Sequence, residues 1–300
     1  MITEPLDPLG VRGTSSKILR QSMLGQADVC LRRLDFDRRH GGGYSEARIF
    51  GTAYHAGLAA HYRHAAAIAQ GENVDPFHSV HGEVRLALES ELAAAKAAGC
   101  DIKWDRWGSE ASALENAQKL ADLYVREHAI NLELFRVIGV EVPWWWPLGN
   151  GWIAHGTIDL IVEDKLDGTH WLHDHKTAGR PWKKGKEHAR ATPQPSWYLA
   201  FWPALYSAVM QTTPPVCRFA FDIMTVDGKF ERRIADVKMG HIQATFEFAS
   251  ELTQLIDNGG PFLPNRSHFL CDERWCDHWN RCGFGGLLDV ERPLHINEAS

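Results

Sequence analysis

The chain has little that would tie it to a membrane, to an oxidising compartment, or to nucleic acid as a bulk polycation. Across 300 residues, 32 Lys and Arg are set against 38 Asp and Glu, giving a formal charge of −6. No global positive field draws such a chain onto DNA, so any polyanion must be held locally. Its longest apolar stretch, from Tyr198 to Met210, contains Pro203 and falls short of the roughly 20 residues that a bilayer span needs. The N-terminus, MITEPLDPLG, has no basic segment ahead of an apolar run, which argues against a secretory signal and for a cytoplasmic protein. Six cysteines are too few to staple a chain this long. Internal repeats and low-complexity linkers are also missing from the sequence.

What is present is the composition of an ordinary globular protein, 44% hydrophobic and 23% charged. Residues 1–14 read as a flexible tail. From Ser15 to about Arg39, Ile18, Leu19, Met23, Leu31 and Leu34 recur at helical spacing, which predicts one or two helices closing at Gly41-Gly42-Gly43. Further helices are expected over 46–70, over 78–98, and from a Ser109 cap to about 137, making 45–138 mainly helical. The period changes after Gly139. Short β-like runs at 140–148, 152–162 and 170–176, separated by Gly149-Asn150-Gly151 and Asp167-Gly168, predict a three-stranded meander. A helix over 195–210, strands over 216–225 and 229–237, and a helix over 242–256 complete a core at 139–258. This order predicts a mixed α/β or α+β fold, one domain over 1–300 with a helical insertion and a Cys-rich segment at 265–285.

Chemistry concentrates on two of the expected strands. Gly156-Thr157-Ile158-Asp159 places one acid in an apolar run, and His173-Asp174-His175-Lys176 holds another. Residues two apart share a strand face, so Asp174 and Lys176 project together while His173 and His175 point to the other side. A hairpin could set Asp159 alongside, giving two carboxylates for a hard divalent ion and an amine for a water or a phosphate oxygen. Phosphodiester hydrolysis needs those groups, although an Asp and a Lys near a strand end more commonly form a solvated pair. His55 shares a helix with His61 and His64 among 16 histidines, and pattern alone reads it as a surface or core residue. Gln194 and Tyr198, four apart, would share a face of any helix. Of Trp144-Trp145-Trp146, at least one must pack inward, because alternate strand residues face opposite sides.

Two further segments ask for a ligand. Arg180-Pro181-Trp182-Lys183-Lys184-Gly185-Lys186, running on to Arg190, gathers cations around a tryptophan. Phosphate contacts plus stacking there would suit single-stranded nucleic acid, and a solvated charged loop is the alternative. Cys271-x4-Cys276-x5-Cys282 suggests a metal site that needs a fourth ligand, for which Cys30 is the candidate. Zinc with His278 or His268 in place of one thiolate competes with an iron–sulfur cluster. Cys100 and Cys217 have no partner by pattern and read as buried or free thiols.

Taken together these residues resemble the PD-(D/E)XK nuclease superfamily, and within it the RecB-like branch that includes CRISPR-associated single-strand exonucleases and phage relatives. Gly51-Thr52-Ala53-Tyr54-His55 is similar to that branch's G-x-x-x-H helix, and Gly156 to Asp159 to its G-x-x-D strand. Asp174-His175-Lys176-Thr177 is similar to its D-x-K strand, and Gln194 to Tyr198 to its Q-x-x-x-Y helix. The resemblance implies a restriction-endonuclease-like core, a Mg²⁺- or Mn²⁺-dependent deoxyribonuclease, and exonuclease action on single strands. It implies His55, Asp159 and Asp174 as metal ligands, Lys176 as the catalytic lysine, and Gln194 and Tyr198 as site-shaping or DNA-contacting groups. Glu141 stands where relatives often carry a further acid. The relatives also hold a [4Fe–4S] cluster on one early and three late cysteines, here Cys30, Cys271, Cys276 and Cys282. Cys30 is followed by Leu31 where relatives often have Pro, and the first late gap is longer than theirs. Recombination, phage-replication or CRISPR-adaptation proteins are the partners implied, and an accessory subunit with partner-dependent or no cleavage is the alternative function.

Overall fold

The computed structural model describes residues 1–40, 44–74, 79–179, 192–265 and 282. The chain forms two compact units, residues 1–21 with 44–247, and residues 22–43 with 248–300. The basic loop with Trp182, Lys183, Lys184 and Lys186 lies outside the described residues, as do Cys271, Cys276, His268 and His278.

The first unit begins with β1 (Ile18–Arg20) and the first residue of α1 (Gln21–Val29). Three helices follow: α3 (Glu46–Ala69), α4 (Val80–Ala97) and α5 (Glu110–Glu127). Each starts at a serine, and Ser45, Ser79 and Ser109 accept from Arg48 N, Gly82 N and Ser112 N. An acidic residue in each first turn adds to the cap through the helix dipole. The expected third helix runs long at the sequence level, because Leu132, Leu134 and Val137 continue its apolar period. In the structure it ends at Glu127, Asn131 turns the chain by accepting from Glu133 N, and Phe135 already opens a strand.

That strand, β2 (Phe135–Gly149), leads through a tight turn to β3 (Trp152–Asp164), and β4 (His170–Ala178) follows antiparallel to β3. The meander is therefore as expected. Helix α6 (Gln194–Met210) then carries the chain over to β5 (Cys217–Thr225), which pairs parallel to β4 and antiparallel to β6 (Phe230–Ile234). Two features depart from the expectation. β1 replaces the start of the first expected helix and pairs parallel to β3, with Arg20 opposite His155. Residues 1–14, expected as a tail, run along β2 instead: Ile2 N donates to Ile138 O at 2.6 Å, Leu6 N to Pro143 O at 2.9 Å, and Leu6 is buried. A single buried leucine and a backbone pairing leave no periodic trace in so short a segment.

Helices pack on both faces of the sheet. Leu58, Tyr62, Val84, Leu120 and Tyr124 of α3–α5 pack with Val140, Leu160, Val162 and Met224 on one side. On the other, α6 sets Trp197, Tyr198 and Phe201 against Trp144 and Phe219. Val140 and Trp144 would share a face in a regular strand, as would Leu160 and Gly156, yet they face opposite layers. The hairpin turns over between them, and in that interval Glu141, with φ 50°, stands across from Asp159 where the ladder skips a pair.

The second unit contains the remainder of α1, α2 (Leu31–His40) and the end of α7 (Met239–Asp257) among its described residues. Leu24, Ala27, Leu34, Ala249, Leu252, Ile256 and Phe262 are its buried apolar residues among those described.

Candidate active site

The edge of β3 is shared by two strands in succession. β1 pairs with residues 153–155 and β4 with 160–163, so residues 156–159 have no ladder partner on that side. Asp159 occupies the end of this gap. Its carboxylate accepts from His175 N at 2.8 Å, and its Oδ2 lies 3.4 Å from His55 Nδ1. Helix α3 is held close against α4 at Gly57, two residues on from His55 and on the opposite side of the helix, where a Cβ would meet Val84 Cγ2 at 2.6 Å. His55, Glu141 and Asp159 each offer a ligand atom, and the three atoms lie within 4.8 Å of one another. Glu141, given in sequence only as a further acid, is a full member of the cluster.

Asp174 and Lys176 do share a face of β4, as strand geometry predicts. Lys176 Nζ is 2.7 Å from Asp174 Oδ2, and the Gln194 amide at the start of α6 donates to the other oxygen. Asp174 is thus buried between an ammonium and an amide, and it is not one of the three clustered groups. Tyr198 is buried and donates its hydroxyl to Thr157 O at 2.8 Å, while a Cβ on Gly156 would come within 2.8 Å of the Tyr198 ring. Gln194 and Tyr198 therefore anchor the Asp174 carboxylate and the β3 backbone. The glycine of the G-x-x-D run admits that close approach.

Crowded acids dominate the electrostatics. Burial raises the Glu141 carboxyl, with Asp159 and Asp174 adding to the rise and Arg63 opposing it. Burial likewise raises Asp159, against the pull of His55. Burial works against the Lys176 ammonium, but Asp174 and Asp159 outweigh it and the amine's pKa is raised. A cavity of about 500 Å³ opens beside His55 and Glu141 and is also lined by Gly51, Thr52, Ala59 and Arg63. Two half-buried acids and an imidazole fit a hard divalent cation by donor chemistry. Arg63 was not singled out in the sequence. Its position two helical turns beyond His55, on the same α3 face, is the signal that could have found it.

Behind β4 a second polar cluster fixes the strand. Asp222 of β5 accepts from Tyr124 at 2.9 Å and from Arg232 at 2.6 and 3.0 Å, and lies 3.3 Å from His173 Nδ1. His175 stacks over Tyr62 and meets Tyr124 at 3.3 Å, so both histidines point away from Lys176 as alternation requires. Cys30 and Cys282 both belong to the second unit and are partly exposed.

No helix among the described residues is long and apolar enough to cross a membrane. Comparison with curated proteins finds no match. Among solved structures, the chain is similar to a protein from Eubacterium rectale named "Putative exonuclease", with 12% identity, 90% of this chain and 92% of that one covered, and a TM-score of 0.47. It is also similar to SSO0001, with 12% identity, coverage of 89% and 86%, and a TM-score of 0.35. The sequence profile of the PD-(D/E)XK nuclease superfamily matches residues 28–283. That match spans most of the sequence and takes in every clustered acid, the Lys176 pair and the His55 helix, so the chain belongs to the PD-(D/E)XK nuclease superfamily.

Proposed function

We propose that this nuclease is a RecB-like, Mg²⁺- or Mn²⁺-dependent exonuclease acting on single-stranded DNA. The observation that carries the reading is the meeting of His55, Glu141 and Asp159 ligand atoms within 4.8 Å, beside the Asp174–Lys176 pair. His55, Glu141 and Asp159 would hold the cation, with Asp174 next to it as a further acid. When bound, the cation supplies charge to a phosphodiester's non-bridging oxygens and acidifies a water.

The chain's own groups do the rest. Asp174, fixed by Gln194, holds the Lys176 ammonium at the mouth of the β3–β4 fork, where its protons reach the attacking water or the charge building on the phosphoryl oxygens. Tyr198 and the His175 amide lock the β3 backbone and the Asp159 carboxylate, so little reorganisation is needed at the moment of reaction. Water attacks phosphorus and gives up one proton to solvent as the new P–O bond forms, the P–O bond to the sugar breaks, and the leaving sugar oxygen takes one proton from solvent, so atoms and charge balance. Arg63 at the cavity wall supplies a cation to a neighbouring phosphate.

End-labelled single- and double-stranded DNA, incubated with Mn²⁺ or with EDTA, tests the proposal. Stepwise loss of label from single strands, dependent on Mn²⁺, is expected. Lys176→Ala and Asp174→Ala should each reduce cleavage by about a thousandfold with an unchanged far-UV spectrum. Wild-type rates in either variant would reject the site.

We further propose that Cys30, Cys271, Cys276 and Cys282 hold a [4Fe–4S] cluster with a structural role. Placement of Cys30 and Cys282 in one compact unit supports this. Zinc is the competing occupant.

A further inference from the structure

Beyond the hairpin's turnover at Glu141, the two β-strands present a face that no helix covers fully. Along β3, residues 155, 157 and 159 are partly exposed while 154, 156 and 158 are buried; along β2, residues 143 and 145 are partly exposed while 142 and 144 are buried. The ladder pairs Pro143 with Thr157 and Trp145 with His155, and β1 places Arg20 beside His155. The Trp145 and His155 rings stack with centroids 4.6 Å apart and planes 13° from parallel. The Arg12 guanidinium lies 4.8 Å from the Trp145 ring centre. Its loop is set by Asp7, which accepts from Val11 N at 2.7 Å and Arg12 N at 3.0 Å. His155 Nδ1 is 2.8 Å from Trp144 O, which fixes the ring's orientation. Burial lowers the His155 pKa, the bond to Trp144 O opposes that, and the charges of Arg20 and Arg12 lower it further.

We infer that this strip, Trp145 and His155 flanked by Arg12 and Arg20, binds single-stranded nucleic acid and feeds it toward Asp159. The inference rests on the nuclease reading and adds a binding track to it. Two cations and a stacked aromatic pair are complementary to a strand with charged phosphates and unpaired bases. Four residue steps of extended strand take His155 to Asp159, about 13 Å, which is about four nucleotides at the rise of a stacked strand. The strip therefore lies within one binding site's reach of the acids, on the strand that carries Asp159.

Fluorescence anisotropy of a labelled 20-nucleotide oligothymidylate with the full chain in EDTA, where no strand is cut, tests the assignment. Trp145→Ala should weaken binding about tenfold and Trp145→Phe about twofold or less, as expected for loss and retention of a stacking face. Arg12→Gln and Arg20→Gln should each reduce the slope of log affinity against log salt by about 0.7. A duplex of equal length should be indifferent to Trp145→Ala. Unchanged affinity and slope in all four variants, equal losses on the duplex, or no binding by the unaltered chain would each overturn the strip. If Trp145→Ala fails to give a cooperative thermal transition, the two exposed arginines decide the matter. The two readings fail separately: a protein that binds the oligonucleotide through Trp145 but cuts nothing in Mn²⁺ refutes the nuclease reading alone, and a Mn²⁺ nuclease indifferent to Trp145 refutes the strip alone.

Discussion

Glu141 brings the tension between stability and chemistry into one residue. Its φ of 50° lies in the left-handed region, where a long side chain on a strand is strained by about 1–2 kcal/mol. Its carboxyl is pressed against Asp159 at the same point. Both costs fall on a residue of the proposed cation site. Asparagine tolerates that backbone and carries no charge, so Glu141→Asn should raise the melting temperature of metal-free protein by about 2 °C while lowering Mn²⁺-dependent cleavage at least tenfold. A melting temperature that falls with the activity would show that Glu141 is there for packing. Little of this was legible from sequence. Strand alternation located Asp174 and Lys176 because period two is strict, whereas a left-handed residue inside a strand leaves no compositional mark unless it is glycine. The motif spacing still pointed to His55, and only the fold could show that its imidazole reaches Asp159.

At the scale of elements, β4 is held from behind. Asp222 is almost fully buried, and burial alone would raise its pKa, but His173, Arg232 and His175 outweigh it and hold the carboxyl well below the usual range. A depressed carboxylate stabilises the folded state at neutral pH, and that contribution is lost as acid protonates it, beginning near the unfolded-chain value of about 4. Asp222→Asn should therefore cost about 3–5 kcal/mol at pH 7, with the gap to the unaltered chain narrowing as pH is lowered from about 5 toward 3. Urea unfolding at a series of pH values measures both. An unchanging gap would mean that shape, not charge, is what Asp222 contributes. The helices were readable because serine caps and alanine-rich faces act locally. β1 was not, since three residues whose pattern Ile18-Leu19 also suits a helix are made a strand only by pairing with β3, more than a hundred positions away in the chain.

For the molecule as a whole, two features have to be reconciled: a net negative chain and a polyanionic substrate. Glu141, Asp159 and Asp174 crowd together, Arg63 and Lys176 lie beside them, and Arg12 and Arg20 flank the Trp145–His155 strip. Binding is then expected to depend on local contacts that salt screens one by one, not on long-range attraction. The second unit carries its own test. Cys282→Ser should yield a chain that has lost the iron and brown colour of anaerobically purified protein, together with much of its solubility, as metal analysis and gel filtration would register. Stoichiometric zinc in colourless unaltered protein would assign the thiols to zinc instead. The profile match over residues 28–283 reaches from just before Cys30 to just past Cys282, so the recognised family unit and the cysteine span coincide.

The β2–β3 hairpin also works as a ruler. Glu141 and Asp159 sit nine steps to either side of Asn150, and the ladder keeps that count from Val142 opposite Ile158 to Pro147 opposite Ile153, with one shift of register just before the turn. Residues added at the tip lengthen only the loop. A single deletion inside either arm slides one acid past the other and turns it to the opposite face. Among natural or engineered versions of this chain, length variation should therefore gather at Gly149-Asn150-Gly151, with the arms themselves fixed in length.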